Sequence, residues 1–260
     1  MREVKKPKAP LNRSADSAKR ARLFKKIATP VLCASTLLLV IVYLVSLAFD
    51  GFGSFTITVK DYGDRKYALA LCENDVFKSS NSRLSATPAK EIDNIAASIL
   101  PEDLNDINGS HNGDNYLAYT FYVKNTGEEI CSYRYSVVIS RATLGIDAAA
   151  RIRIYYNARY YTASTNSYYY GNDYVDYAKP KTSGDGEPEV DPVDRKMTNF
   201  LNNDVVVEEV VNGFRPGDIS KITVVIWLEG NDPDCTDDVL GGQFKTDMVF
   251  EICDAAETAV

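Results

Sequence analysis

Residues 27–49 (IATPVLCASTLLLVIVYLVSLAF) form an uninterrupted run of 23 positions without a charged side chain. As an α-helix this run spans roughly 34 Å at about 1.5 Å per residue, against a bilayer hydrocarbon core of about 30 Å. We therefore read it as a membrane crossing. Pro30 falls in the first turn, where its missing N–H costs little, and Asp50, Gly51 and Gly53 break the helix beyond Phe49.

The flanking charges orient the crossing. Residues 1–26 carry ten basic and two acidic side chains, whereas residues 50–260 carry 19 basic and 34 acidic ones. Lysine and arginine stay on the cytoplasmic side, which places the head inside and the body outside. A cleaved signal peptide is the rival reading, with Ser46 and Ala48 as the small residues before a cut. The long head and long apolar run favour a retained anchor, and the body lies outside in both cases. The expected organisation is a basic cytoplasmic head (1–26), a transmembrane helix (27–49) and an extracellular domain (50–260). An acidic body repels phosphate backbones, so no nucleic-acid partner is expected.

The body changes to a period of two. Phe55, Ile57 and Val59 alternate with threonines, which places one strand face on a core and the other toward water. Further strands are expected at 67–71, 116–124, 130–141, 150–156, 205–211, 221–229 and 243–252, separated by turn residues. The stretch 221–229 (KITVVIWLE) is the most apolar and is expected at the centre of its sheet, carrying the single tryptophan, Trp227. One short helix is expected at 89–100, where Ile92, Ile95, Ala96 and Ile99 fall on one side and Pro101 stops the run. The pattern predicts a mainly β, antiparallel two-sheet sandwich of a jelly-roll-like kind. Residues 179–194 (KPKTSGDGEPEVDPVD) read as an exposed loop.

Little in the chain points to catalysis. The one histidine, His111, lies in an Asn/Gly-rich stretch and reads as an exposed loop residue. No H-E-x-x-H, G-x-S-x-G or Walker motif is present. Calcium is the one ion with candidate ligands: Asp232, Asp234, Asp237 and Asp238 supply oxygens in one loop, and a second acidic loop runs from 103 to 114. Neither follows the EF-hand spacing. Cys33 lies in the crossing. Cys72, Cys131, Cys235 and Cys253 lie in the outside body and allow two disulfides in three pairings, or buried thiols.

Residues 155–177 hold nine tyrosines. They read either as a hairpin with aromatic cross-strand pairs or as a contact surface, since tyrosine supplies large area at low entropic cost. The candidate contact residues are Tyr160, Tyr161, Tyr168, Tyr169, Tyr170 and Tyr174.

Three segments carry a resemblance: 119–127 (YTFYVKNTG), the Phe214–Pro216–Gly217–Asp218 turn before a strand, and 226–235 (IWLEGNDPDC). With the basic head and single crossing, they resemble Gram-positive envelope proteins of the TasA and camelysin group, exported by SipW-type peptidases, and related Firmicutes surface proteins. The resemblance implies a jelly roll and a role at the cell surface or in the extracellular matrix, sometimes as fibre subunits. Some camelysin-like proteins are described as metalloproteases. The histidine ligands for that chemistry are missing here, and the activity is not carried over.

The expectation is a non-catalytic, membrane-anchored surface protein whose sandwich binds another envelope protein or a copy of itself. The alternative is a surface hydrolase using paired carboxylates about 5–9 Å apart. A signalling role ranks below both, because a head of 26 residues is too short for a signalling domain.

Overall fold

A computed structural model describes residues 28, 30–43, 54–60, 66–162, 167–180 and 197–253, with the backbone alone described at 158–162 and 167–169. The chain divides into two units, Met1–Phe49 and Asp50–Val260.

In the first unit, residues 30–43 form one helix, α1. Its large apolar side chains from Val31 to Tyr43 are 49–68% exposed. The hydroxyls of Ser35 and Thr36 turn back onto the carbonyl of Leu32 at 2.9 Å each. No helix among the described residues is long and apolar enough to cross a membrane. The remaining positions of the expected crossing, 27, 29 and 44–49, lie outside the described residues, as does 181–194 of the expected loop.

The second unit is mainly β, in two sheets. Its strands are β1 (Ser54–Val59), β2 (Leu69–Cys72), β3 (Arg83–Ser85), β4 (Gly109–Ser110), β5 (Tyr116–Asn125), β6 (Cys131–Ala142) and β7 (Ala150–Thr162). They continue as β8 (Ser167–Tyr170), β9 (Tyr174–Ala178), β10 (Thr198–Asn199), β11 (Val205–Phe214), β12 (Ile219–Leu228) and β13 (Phe244–Cys253). A single turn of helix, α2 (Ile146–Ala149), leads into β7. The first sheet has the order β11-β6-β13-β1-β3, and the second β10-β9-β7-β12-β5-β2.

Side chains facing inward from both sheets form one apolar core. Phe121 of β5 meets Phe250 of β13 edge to face at 6.0 Å, and Phe55 of β1 meets Tyr119 of β5 at 6.4 Å. Such aromatic pairs add to simple area burial. Tyr133 and Tyr156 join hydroxyls across the gap, and Tyr135 stacks on Tyr156 at 5.1 Å. The alternation read at 55–59 and 243–252 is therefore that of strands with one face on this core.

Two expectations need correction. The sheets are mixed, not purely antiparallel: β1 runs parallel to β13, and β10 parallel to β9. A parallel pair needs a long connection, and β1 and β13, the first and last strands, have the whole domain between them. The helix expected at 89–100 reduces to a 3₁₀ turn at Ala97–Ile99. Short isolated helices are marginal, and here the backbone finds strand partners instead: Ile95 N–H donates to Leu228 O at 2.9 Å and Gly230 N–H to Ile95 O at 3.0 Å.

That segment has a second role. Ala97, Leu100 and Leu104 cover the outer face of the second sheet over Ala118, Tyr155, Val225 and Trp227. β12 is thus covered on both faces and all ten of its residues are buried, which is why 221–229 reads as a nearly continuous apolar run.

Candidate functional site

Three places in the second unit concentrate side chains with chemistry: the tyrosine-rich ribbon, the acidic loop after β12, and a groove on the outer face of the first sheet.

The ribbon grows out of the second sheet. β12 pairs with β7 as far as Ser220 opposite Ala158, and β9 pairs with the first part of β7, from Arg151 to Tyr155. Beyond Ala158 the only partner of β7 among the described residues is β8. The chain therefore continues as a two-stranded ribbon in which Tyr160 sits opposite Tyr169 and Tyr161 opposite Tyr168. The side chains of these four tyrosines lie outside the described residues.

Tyr170 and Tyr174 stand at the root and help hold it. The Tyr170 ring meets Tyr122 at 5.5 Å and the Lys221 ammonium at 5.7 Å. Tyr174, 39% exposed, lies under the Arg153 guanidinium at 3.9 Å and beside Tyr155 at 5.1 Å. Arg153 in turn grips Asp176 with two hydrogen bonds of 2.6 and 2.9 Å. Burial alone would lower the guanidinium, and the Asp176 carboxylate more than offsets this, leaving it above its ordinary value. The cross-strand reading of 155–177 thus has its counterpart in the paired strands, and residues 163–166 at the tip lie outside the described residues.

Beneath the ribbon root lies a polar cluster that the sequence did not single out. Asn105 donates to Gly171 O and Asn172 Oδ1, at 3.1 Å each, and accepts from Thr223 at 2.8 Å. Thr120 and Thr223 share a hydrogen bond of 2.7 Å, and the Lys221 ammonium donates to the Asn105 carbonyl. Burial pulls the Lys221 ammonium below its ordinary value, against the opposing pull of Asp106 and Asp75. The available signal was the lysine at the head of an otherwise apolar central strand. His111 belongs to the same cover. It is half-buried rather than exposed, and its ring nitrogens face the carbonyls of Gly109 at 2.8 Å and Leu104 at 2.9 Å.

The acidic loop is built around two buried carboxylates. Glu229 accepts from Ala97 N–H at 3.0 Å, from the Trp227 indole at 3.1 Å and from Asn231 at 3.1 Å. Asp232 is ion-paired to Arg151, with side-chain exposures of 0% and 2%, and accepts the Asp234 N–H at 2.7 Å. Asp237 and Asp238 open a 3₁₀ turn at Asp237–Val239 and are exposed. Of the four candidate calcium ligands, Asp232 is therefore engaged by a buried guanidinium. Among the described residues, no three His, Cys, Asp or Glu side chains are grouped to hold a metal. A cavity of about 230 Å³ beside this loop is lined by Glu91, Asp93 and Asp237, with Lys90 and Cys235. Burial, followed by Asp232 and Glu229, pushes the Cys235 thiol up.

The groove, about 750 Å³, lies where β6 begins and β13 ends. Ser132, Arg134, Asn212 and Glu251 line it, with Tyr67 and Ile130 among the other lining residues. Cys131 and Cys253 also border it. In the register, Cys253 lies opposite Ser132, one position from Cys131. Neighbouring positions on a strand point to opposite faces, so these two thiols are poorly placed to bridge. The structure contains no disulfide among the five cysteines.

The three segments that carried the family resemblance all prove to be framework. Asn125 donates to Phe214 O at 2.8 Å and to Glu129 O at 3.0 Å, and accepts from Gly127 N–H at 2.8 Å. Gly217 N–H donates to Asn125 O at 2.9 Å, so the first two segments lock together where the chain passes from the first sheet to the second. A Cβ on Gly127 would lie 2.4 Å from Lys66 O, which leaves glycine as the residue that fits. The third segment supplies Trp227, Glu229 and Asp232. Compared with known proteins, the chain matches no family model and no curated protein sequence.

Proposed function

We propose that the protein is a non-catalytic, membrane-anchored cell-surface or matrix protein. Its jelly-roll-like sandwich presents the tyrosine ribbon to another envelope protein or to a second copy of itself. The observation that carries this reading is the register. Among the described residues, β7 and β8 run on beyond β12 as a two-stranded ribbon with Tyr160 opposite Tyr169 and Tyr161 opposite Tyr168. A two-stranded ribbon is at best marginally stable alone, and covering it with a partner would stabilise it. Tyrosine is enriched where such coverage occurs.

The anchor rests on the charge-free run, on the basic head, and on an α1 whose apolar side chains are exposed along its length. A helix that is apolar all round belongs in an apolar medium. The resemblance to TasA- and camelysin-type envelope proteins supports the same placement and supplies the jelly-roll assignment.

Replacing the ribbon tip (160–169) by a two-residue turn tests the reading in intact cells by crosslinking and pull-down. Capture of the partner should be lost while the unfolding temperature of the body stays within a few degrees of wild type. Undiminished capture by the shortened protein would sink it.

A second reading, a surface hydrolase, draws on the three carboxylates around the smaller cavity. Single Glu91→Gln, Asp93→Asn and Asp237→Asn variants that lower a measured hydrolytic rate would favour it.

A further inference from the structure

We propose that the groove over the start of β6 and the end of β13 is a binding site for a neutral oligosaccharide. Its volume of about 750 Å³ lies within the roughly 300–1,000 Å³ common for ligand sites.

The groove is a consequence of the strand geometry. A bulge in β11 interrupts its register with β6 between Val211 and Phe214, leaving Asn212 and Gly213 outside the ladder. Gly213 takes a left-handed φ of 69°, and a Cβ there would meet nothing within 4 Å, so this wall stands open. The floor is the outer face of two paired strands, on which Arg134 lies opposite Glu251. Tyr67, 38% exposed, stands at the rim, where its hydroxyl donates to Glu129 at 3.3 Å. Ile130, 57% exposed, lines the groove with it.

The lining selects for a ligand class by its charge balance. Its described lining residues present one guanidinium, one carboxylate, one amide and two hydroxyls, so donors and acceptors are both supplied. Arg134 is already opposed by Glu251 in the register and by Glu208 at 3.6 Å. The surrounding body is strongly acidic. A phosphate or carboxylate ligand would meet repulsion without an available cation, and a cationic ligand would meet Arg134 on the floor. A sugar chain carries no charge, offers hydroxyls that donate and accept, and turns an apolar C–H face toward a ring such as that of Tyr67. A single carboxylate stands among the described lining residues, whereas most glycosidic cleavage uses two. The described lining thus suits holding a glycan. It lies on the first sheet, so it goes beyond the ribbon reading and does not depend on it.

The test uses the full chain in lipid nanodiscs, free of sugar-based detergent. It is titrated with β-1,4-linked glucose and N-acetylglucosamine oligomers of about four to six units, sized to the groove, and followed by calorimetry and saturation-transfer NMR. Saturable binding of at least one oligomer is expected. Asn212→Ala and Glu251→Gln should each weaken it by about fivefold or more, the loss of one good hydrogen bond, at unchanged unfolding temperature. Shortening the ribbon should leave it intact. No saturable binding up to about 10 mM, well above ordinary weak affinities, would overturn the proposal. Binding that neither variant weakens would also overturn it, as would inorganic phosphate occupying the groove more tightly than every oligomer.

Discussion

Asp232→Asn tests whether the acidic loop after β12 is a structural clasp or an ion site. In the structure the Asp232 carboxylate pairs with Arg151, and both side chains are almost fully enclosed. Arg151 spends its other terminal nitrogen on the carbonyls of Ala148 at 3.1 Å and Ala150 at 3.2 Å. The amide of asparagine removes the negative charge but not the guanidinium, which stays buried without a counter-charge. Breaking a buried pair in this way costs about 3–5 kcal/mol, against a total stability of about 5–15 kcal/mol. For a domain of this size the melting temperature should fall by roughly 6–20 °C, at about 2–4 °C per kcal/mol. Removing both partners should hurt less, because Arg151→Met with Asp232→Leu leaves neither charge behind. The two single losses should exceed the double loss by at least about 2 kcal/mol, within the range measured for contacting residues. Thermal denaturation by circular dichroism, with calcium and with chelator, is the assay. A loss below about 1 kcal/mol, the level of a surface pair, would refute the clasp. So would a loss seen only when calcium is present.

Two further perturbations follow from buried groups. Thr246 is fully enclosed in the core on β13, and its hydroxyl has no hydrogen-bond partner. Thr246→Val should therefore stabilise by about 1 kcal/mol, read as a rise of a few degrees in melting temperature. Alkaline unfolding should be driven by tyrosine. Burial is the largest cause raising the phenols of Tyr119, Tyr133, Tyr135 and Tyr156 above 10.0, and it pushes Tyr122 and Tyr177 up to about 12. The unfolded chain releases these protons near pH 10.0 while the folded chain retains them. The stability they contribute is thus complete below pH 10.0 and is lost as pH rises through the folded values. Lys221, lowered by burial from 10.5, acts with the opposite sign up to that pH, but it is one group against six. Tyrosinate absorbance should rise in step with loss of circular dichroism above pH 10.0, whereas full tyrosine titration on a folded chain would contradict the burial argument.

Much of the sandwich was legible in the residues. Period-two alternation marked β1 and β13, and β-branched and aromatic runs marked β5, β6, β11 and β12, because a strand with one face on a core must alternate. The outward set of β7, Arg151, Arg153 and Tyr155, was separated correctly from Ile152 and Ile154. What the pattern did not show is that this outward face is itself covered. Arg151 and Arg153 are 2% and 6% exposed, with Asp232 of the loop after β12 paired to the first and Asp176 and the Tyr174 ring of β9 held against the second. Charged residues on a strand normally mark a solvated face, and only the long-range partners Asp232 and Asp176 allow these two to be buried. The helix expected at 89–100 failed for the same reason. Its apolar spacing was real, but Ile95 found a strand end to bond to.

The candidate sites divide in the same way. The acid-rich loop and the tyrosine cluster were visible as composition. Asp232 belongs to Arg151, 81 positions away along the chain, and no local spacing encodes that pairing. The groove on the first sheet was not foreseeable at all, since Tyr67, Arg134, Asn212 and Glu251 come from four separate stretches. The sequence by itself determined the charge division of the chain, the period-two body and the turns at Gly127 and Gly217, all consequences of local sterics and of the demand that apolar faces be buried. The tertiary structure alone decided the parallel joining of the first and last strands, the second covered face, the partners of the buried charges and the groove. Those depend on contacts between residues far apart in the chain, which short-range periodicity does not report.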